Sequence, residues 1–226
     1  MMRTMAGQDA INLRLLKTLI CSGDSNDISN RKESLGDVLK NVCSSVADMK
    51  TEDVEYLPEL LTAVFINSQP VVHHKIEVMC LGCLHHLPLD LGDKALMCLA
   101  SYISNHSTRS LSTIPITFSL IRHFISSSSV SKKMLEALQK VLWLVTRHKT
   151  DYAPVLPHLL PDLLTFLQSL PLDQRGLLTT SLYKLLDMMD PCYLTYISSN
   201  LSPSTNELFK ILLQNYESGY KFKGKA

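Results

Sequence analysis

Between His73 and His86 the chain reads HHKIEVMCLGCLHH, which sets four histidines and two cysteines within fourteen residues. Thiolates and imidazoles are the ligands of structural zinc, and the CxxC spacing of Cys80 and Cys83 is that of one half of many such sites. A closed site needs four ligands converging tetrahedrally at about 2.0–2.3 Å. At about 100° per residue on a continuous helix, Ile76, Cys83, Leu84, Leu87 and His73 fall within roughly 60° of Cys80, in the middle of an apolar stripe. His85 falls near 140° and His86 near −120°, so the terminal pair faces away from the thiols. His73 shares their face but lies seven residues earlier, about 10 Å along the axis, too far for one metal to bridge. The segment therefore offers two thiols and no second CxxC to complete them. Cysteines in an apolar stripe are read as small core residues, and no metal or other cofactor is expected. A CxxC redox reading lacks its usual βαβ context and an exposed helix N-terminus. The histidines are placed at the ends of the helix, where His85 and His86, when protonated, complement its C-terminal dipole.

Other chemistry is sparse. The chain has no Walker-type phosphate loop, no GxGxxG and no GxSxG elbow, and only 8 glycines, too few for a nucleotide cradle elsewhere. Glu52, Asp53 and Glu55 cluster where a helix should start, and negative charge there complements the dipole. No catalytic residue is assigned, and the expectation is a protein without enzymatic activity.

The elements that must position these residues are helices. Apolar residues recur at three- and four-residue spacing in blocks near 9–21, 34–49, 52–67, 71–87, 91–104, 113–126, 131–148, 157–170, 174–189 and 204–216, with a short piece near 191–199. No alternating strand pattern occurs, so the fold class is all-α. SGDSNDISNRKES (22–34) reads as a mobile loop, and NSQP, LPLDLGD, SNHSTRS, SSSSVS, TDYAP, LPLDQ and DPC as short breaks. Ser131 is placed to cap the helix that follows, and Ser126 to Ser129 read as a linker. Short breaks set successive helices antiparallel. Trp143, the sole tryptophan, lies mid-helix among apolar neighbours and reads as core.

LPELLT (57–62) returns as LPDLLT (160–165), each followed after a proline-containing break by a second helical block. Such an echo is the signature of stacked helical hairpins, in which neighbours share a continuous core. The segment LLPDLLTFLQSLPLDQRGLLTTSLYKLL (159–186) resembles a HEAT repeat: Pro161 early in the first helix, Leu163, Leu164 and Leu167 as its ladder, Asp173 and Arg175 at the turn, and Leu178, Leu182 and Leu185 in the second helix. The resemblance implies a structural role for Asp173 and Arg175, as members of a hydrogen-bond ladder between repeats. The copy at 57–87 carries His73 and His74 where the arginine would lie. The description is thus an α-solenoid of about five stacked antiparallel hairpins, of degenerate HEAT/armadillo-like type. Residues 1–50 form atypical N-terminal helices, 51–217 the repeats, and 218–226 a basic flexible tail.

With 22 basic against 21 acidic residues the net charge is +1, so no global field draws in nucleic acid or an anionic membrane. The longest apolar runs, such as VLWLV (141–145), fall short of the roughly 18–20 residues that span a bilayer. The first residues lack the pattern of a signal peptide. The six cysteines are scattered through apolar helical blocks and read as reduced thiols of an intracellular protein, in cytoplasm or nucleus.

The function expected is non-enzymatic: a scaffold or adaptor that holds a protein or peptide partner on the solenoid surface, either alone or as a segment of a longer array. Second helices of the hairpins (71–87, 131–148, 174–189) line the concave side, with His74, Arg147, His148 and Lys184 as candidate contacts. The alternative is a nucleic-acid- or chromatin-associated repeat using Lys221, Lys223 and Lys225 beside Tyr220 and Phe222, since basic residues between aromatics grip phosphates and stack bases.

Overall fold

The periodic apolar blocks are realised as helix. In the computed structural model the residues described are 32–46, 49, 54–67, 74–105, 110–126 and 130–221, and among them there is no strand. The predicted helix at 9–21 and most of the 22–34 loop lie outside the described residues, as do 127–129 of the serine run. The helices are α1 (Lys32–Ser45), α2 (Leu57–Asn67), α3 (His74–Cys83), α4 (Gly92–Asn105), α5 (Ser110–Ile125), α6 (Lys132–Arg147), the single turn α7 (Lys149–Tyr152), α8 (Leu160–Ser169), α9 (Leu172–Met188), α10 (Pro191–Asn200) and α11 (Pro203–Asn215). No helix among the described residues is long and apolar enough to cross a membrane. The chain divides into two compact units, Met1–Leu120 and Ile121–Ala226.

In the first unit, α1 buries Gly36, Leu39 and Val46 and half-buries Cys43, one stripe at helical spacing. This stripe lies against α3. A Cβ on Gly36 would meet Ile76 Cδ1 at 2.9 Å, so the missing side chain lets the two helices approach. Seven residues further on, Cys43 meets Cys80, their sulfurs 3.8 Å apart. Both contacts advance in the same direction, so α1 and α3 run side by side and parallel. The pair α2 and α4 repeats the arrangement: Thr62 contacts the Cys98 thiol, and Phe65 packs edge-on to Tyr102 with ring centroids 5.0 Å apart.

Helix starts in the second unit follow capping chemistry. Ser131 Oγ accepts from Met134 N at 3.1 Å, the cap predicted for it, Asp190 Oδ1 accepts from Cys192 N at 2.8 Å ahead of Pro191, and Ser202 Oγ accepts from Thr205 N at 3.3 Å ahead of Pro203. Each satisfies an orphan donor of the first turn, and each proline sits where its missing N–H costs nothing. Helix α6 packs on α9 and α8 on α11, burying Leu135, Leu138, Val141, Leu142 and Val145 of α6 and Leu178, Leu182, Leu185 and Leu186 of α9.

Arg175 holds the turn between α8 and α9. Its guanidinium donates through Nε to Leu170 O at 2.9 Å and through a terminal nitrogen to Gln168 O at 2.8 Å, closing carbonyls left open where α8 ends. Asp173 stands exposed in the first turn of α9. Elsewhere Arg122 pairs with Asp162, Nε to Oδ2 2.5 Å, and also donates to His158 O.

Several contacts between distant helices share a similar offset. Cys43 and Cys80 are 37 residues apart, and His74 and Ser112 are 38. In the second unit the separations are 40 for Arg122–Asp162, 38 for Lys149–Asp187 and 37 for Gln168–Thr205. Tyr216–Asp187, at 29, and Tyr183–Tyr216, at 33, stand outside this range.

Candidate functional site

The outer face of α6 is the surface in the second unit best equipped to hold something. With Leu138 at the centre of the buried side, Trp143 lies about 140° away and Arg147 about 180°. Trp143 is accordingly 42% exposed, which corrects its reading as core: apolar neighbours in sequence place a helical residue on the opposite face as readily as beside them. Lys133, Glu136, Lys140, Trp143 and Arg147 follow one another at three- and four-residue steps, and all are exposed. Arg147 sets its guanidinium over the Trp143 ring, 4.9 Å from the centroid, a cation–π contact between neighbours one turn apart. Glu136, the one acid on the stripe, lies 3.9 Å from Lys132. Lys133 and Lys140 have no acidic partner among the described residues. The result is a basic strip with an aromatic platform.

The residues singled out from sequence are placed apart. Arg147 belongs to this strip, His148 follows it half-buried, and Lys184 is half-buried on α9. His74 is instead tied inward in the first unit. Its Nδ1 lies 3.4 Å from Oε2 of the buried Glu77, and its Nε2 lies 2.8 Å from Ser112 Oγ. With Nδ1 protonated, the ring donates to the carboxylate and accepts from the serine hydroxyl. Lys221 is exposed after a π-helical turn, Tyr216–Tyr220, in which Tyr220 packs on Tyr183 and Tyr216 at 5.4 and 5.9 Å. Ordered helix thus reaches into the stretch expected to be tail, while Lys223 and Lys225 lie outside the described residues.

The HHKIEVMCLGCLHH segment divides much as helical geometry requires. Cys80 and Cys83 are buried, His86 is exposed and His85 half-buried, while His73 lies outside the described residues. Helix α3 ends at Cys83 and tightens into a 3-10 turn at Leu84–His86, where a continuous helix to 87 was predicted. Among the described residues no group of three or more His, Cys, Asp or Glu is arranged to hold a metal ion.

What the sequence did not bring together is a third thiol. Cys43 of α1 lies 3.8 Å from Cys80, and the Cys83 thiol donates to the Cys43 carbonyl at 3.6 Å. Hydrogen bonding with the Cys80 and Cys83 side chains pulls the Cys43 pKa well below the ordinary thiol value, against the smaller opposing effect of burial. The same bonds to Cys43, reinforced by burial, push Cys80 and Cys83 up. Cys98, fully enclosed, is pushed up to about 12 by burial. Exposed Cys192 is raised by its hydrogen bond to the Asp190 carboxylate. Comparison with protein-family models, curated proteins and solved structures finds no match to this chain.

An open groove of about 360 Å³ runs between α2 and α4, lined by Pro58, Thr62, Ala63, Ile66, Lys94 and Met97. Ile66, 52% exposed, and Met97 are its apolar walls. Sequence periodicity gave no sign of it, because both residues read as ordinary members of apolar stripes.

Proposed function

We propose that the chain is a non-enzymatic protein-interaction module of HEAT/armadillo-like stacked hairpins, and that α6 receives an acidic segment of a protein partner. The observation that carries the binding reading is the strip Lys133, Lys140, Trp143 and Arg147, where positive charge surrounds an exposed indole held in place by Arg147. Acidic side chains would pair with the lysines as a polar rim while an apolar or aromatic neighbour covers the ring, with Trp143 and Arg147 as the anchors. What supports the repeat architecture is the recurrence of offsets of 36–40 residues between contacting residues of distant helices, just below the period of HEAT and armadillo repeats, about 40–47. The close packing of α1 on α3 and of α2 on α4 supports it too. In an up-and-down four-helix bundle alternate helices lie across the diagonal, whereas in stacked hairpins they are neighbours.

The test is fluorescence titration, with Trp143 as the sole tryptophan. A glutamate- and aspartate-rich peptide is expected to shift or quench the emission saturably, with an affinity that falls as salt rises. A Lys140→Gln/Arg147→Gln variant should bind at least tenfold more weakly, and a lysine-rich peptide of equal length should not bind. Equal binding by the variant, or no response to millimolar acidic peptide, would remove α6 as the docking face. Tighter binding to a single-stranded oligonucleotide than to the acidic peptide would transfer the strip to nucleic-acid recognition.

A further inference from the structure

We propose that Cys43 is a site of reversible oxidation by peroxides, resolved by Cys80 into a disulfide that fastens α1 to α3. Three arrangements carry this. The two sulfurs already lie 3.8 Å apart on packed helices, so a bond of about 2.05 Å needs them to close by roughly 1.8 Å. Cys43 is half-buried, open to a small oxidant, whereas Cys80 and Cys83 are shielded. The Cys83 proton is directed at the Cys43 carbonyl, which leaves Cys80 as the sulfur facing the Cys43 sulfur.

The chemistry divides between the thiols. Hydrogen bonding with the neighbouring Cys80 and Cys83 side chains favours the Cys43 thiolate, and the thiolate is the nucleophile. It attacks one peroxide oxygen; the S–O bond forms, the O–O bond breaks, and hydroxide leaves to take a proton from solvent as water. Sulfur is oxidised by two electrons to sulfenic acid and the peroxide is reduced. The Cys80 sulfur then attacks the Cys43 sulfur; the S–S bond forms, the S–O bond breaks, and the hydroxyl departs with the Cys80 proton as a second water. Cys80 is held protonated chiefly by its bond to Cys43 and by burial, with the Cys43 charge adding to both. Once Cys43 is a neutral sulfenic acid that charge is gone, so the resolving thiol loosens its proton only after the first step. A dithiol reductant reverses the bond by exchange.

The full chain, reduced and desalted, is exposed to a few equivalents of hydrogen peroxide, blocked with N-ethylmaleimide under denaturing conditions, digested with trypsin and read by mass spectrometry without reduction. Cleavage at lysines places Cys43 in peptide 41–50, Cys80 and Cys83 in 76–94, and Cys192 in 185–210. The expected product is 41–50 linked to 76–94, retained in Cys83→Ser, lost in Cys43→Ser and lost in Cys80→Ser. In Cys80→Ser a dimedone adduct should collect at Cys43 at least ten times faster than at Cys192. Helical circular dichroism equal to the parent shows that each variant is folded. A link between Cys80 and Cys83, oxidation of Cys192 ahead of Cys43, or full maleimide labelling of every thiol after peroxide would overturn the proposal.

Discussion

Replacing Arg175 by alanine tests how the turn between α8 and α9 is held. Its guanidinium donates to Gln168 O at 2.8 Å and Leu170 O at 2.9 Å. Hydrogen bonds from a charged group contribute about 1.5–3 kcal/mol each when buried, but Arg175 is only half-buried, so each is placed near the lower end or below. A cation at a helix C-terminus adds about 0.3–1 kcal/mol. Water can reach both carbonyls once the side chain is gone, which recovers part of the loss. The net expectation for Arg175→Ala is a destabilisation of about 2–3 kcal/mol. For a unit of roughly a hundred residues that corresponds to a fall in Tm of about 8–12 °C. Arg175→Lys keeps the charge but reaches one carbonyl at a time, and should restore about half. Urea unfolding followed by Trp143 emission is the assay, since this tryptophan sits on α6, which packs on α9 within the same unit. An alanine variant that loses less than about 0.5 kcal/mol, or a lysine variant as stable as the parent, would refute the bridging role.

Three further outcomes are expected. Leu138→Ala, at a position with no exposure, should cost about 2–5 kcal/mol in the same urea assay. Ser131→Ala removes the acceptor for Met134 N and should cost about 1 kcal/mol by thermal unfolding. Iodoacetamide labelling of the native chain from pH 6 to 8 should favour Cys43 over Cys192 at the acidic end. The Cys43 pKa is lowered, so its thiolate is already present there, whereas Asp190 raises that of Cys192 and its labelling should climb roughly tenfold per pH unit. Equal pH slopes for the two peptides would contradict the opposed shifts.

The helices were legible because period 3.6 survives in single stretches: the blocks at 91–104, 131–148 and 204–216 match α4, α6 and α11 within a residue or so. The same wheel that turned Cys80 and Cys83 inward, applied to α6, turns Trp143 outward beside Lys140 and Arg147. That signal lay in the sequence, and the composition of VLWLV obscured it. The pairing of Cys43 with Cys80 was not legible. Each thiol sits in its own apolar stripe, and nothing local to either says which stripe it meets 37 residues away. Arg175 lies between these cases. The resemblance implied a place in a ladder of aspartates and arginines between repeats, whereas its partners are the carbonyls of Gln168 and Leu170 at its own turn.

The near-constant offset between contacting residues bears on how the chain reaches its fold. Contacts such as Cys43–Cys80, Phe65–Tyr102 and Gln168–Thr205 each close a segment of about the same modest length, so the entropy lost at each closure is similar and does not grow along the chain. Low sequence separation also favours fast folding. A growing chain therefore need not wait for its C-terminus: once α3 has emerged from the ribosome, α1 already has the surface it packs against, and α2 has its own once α4 is made.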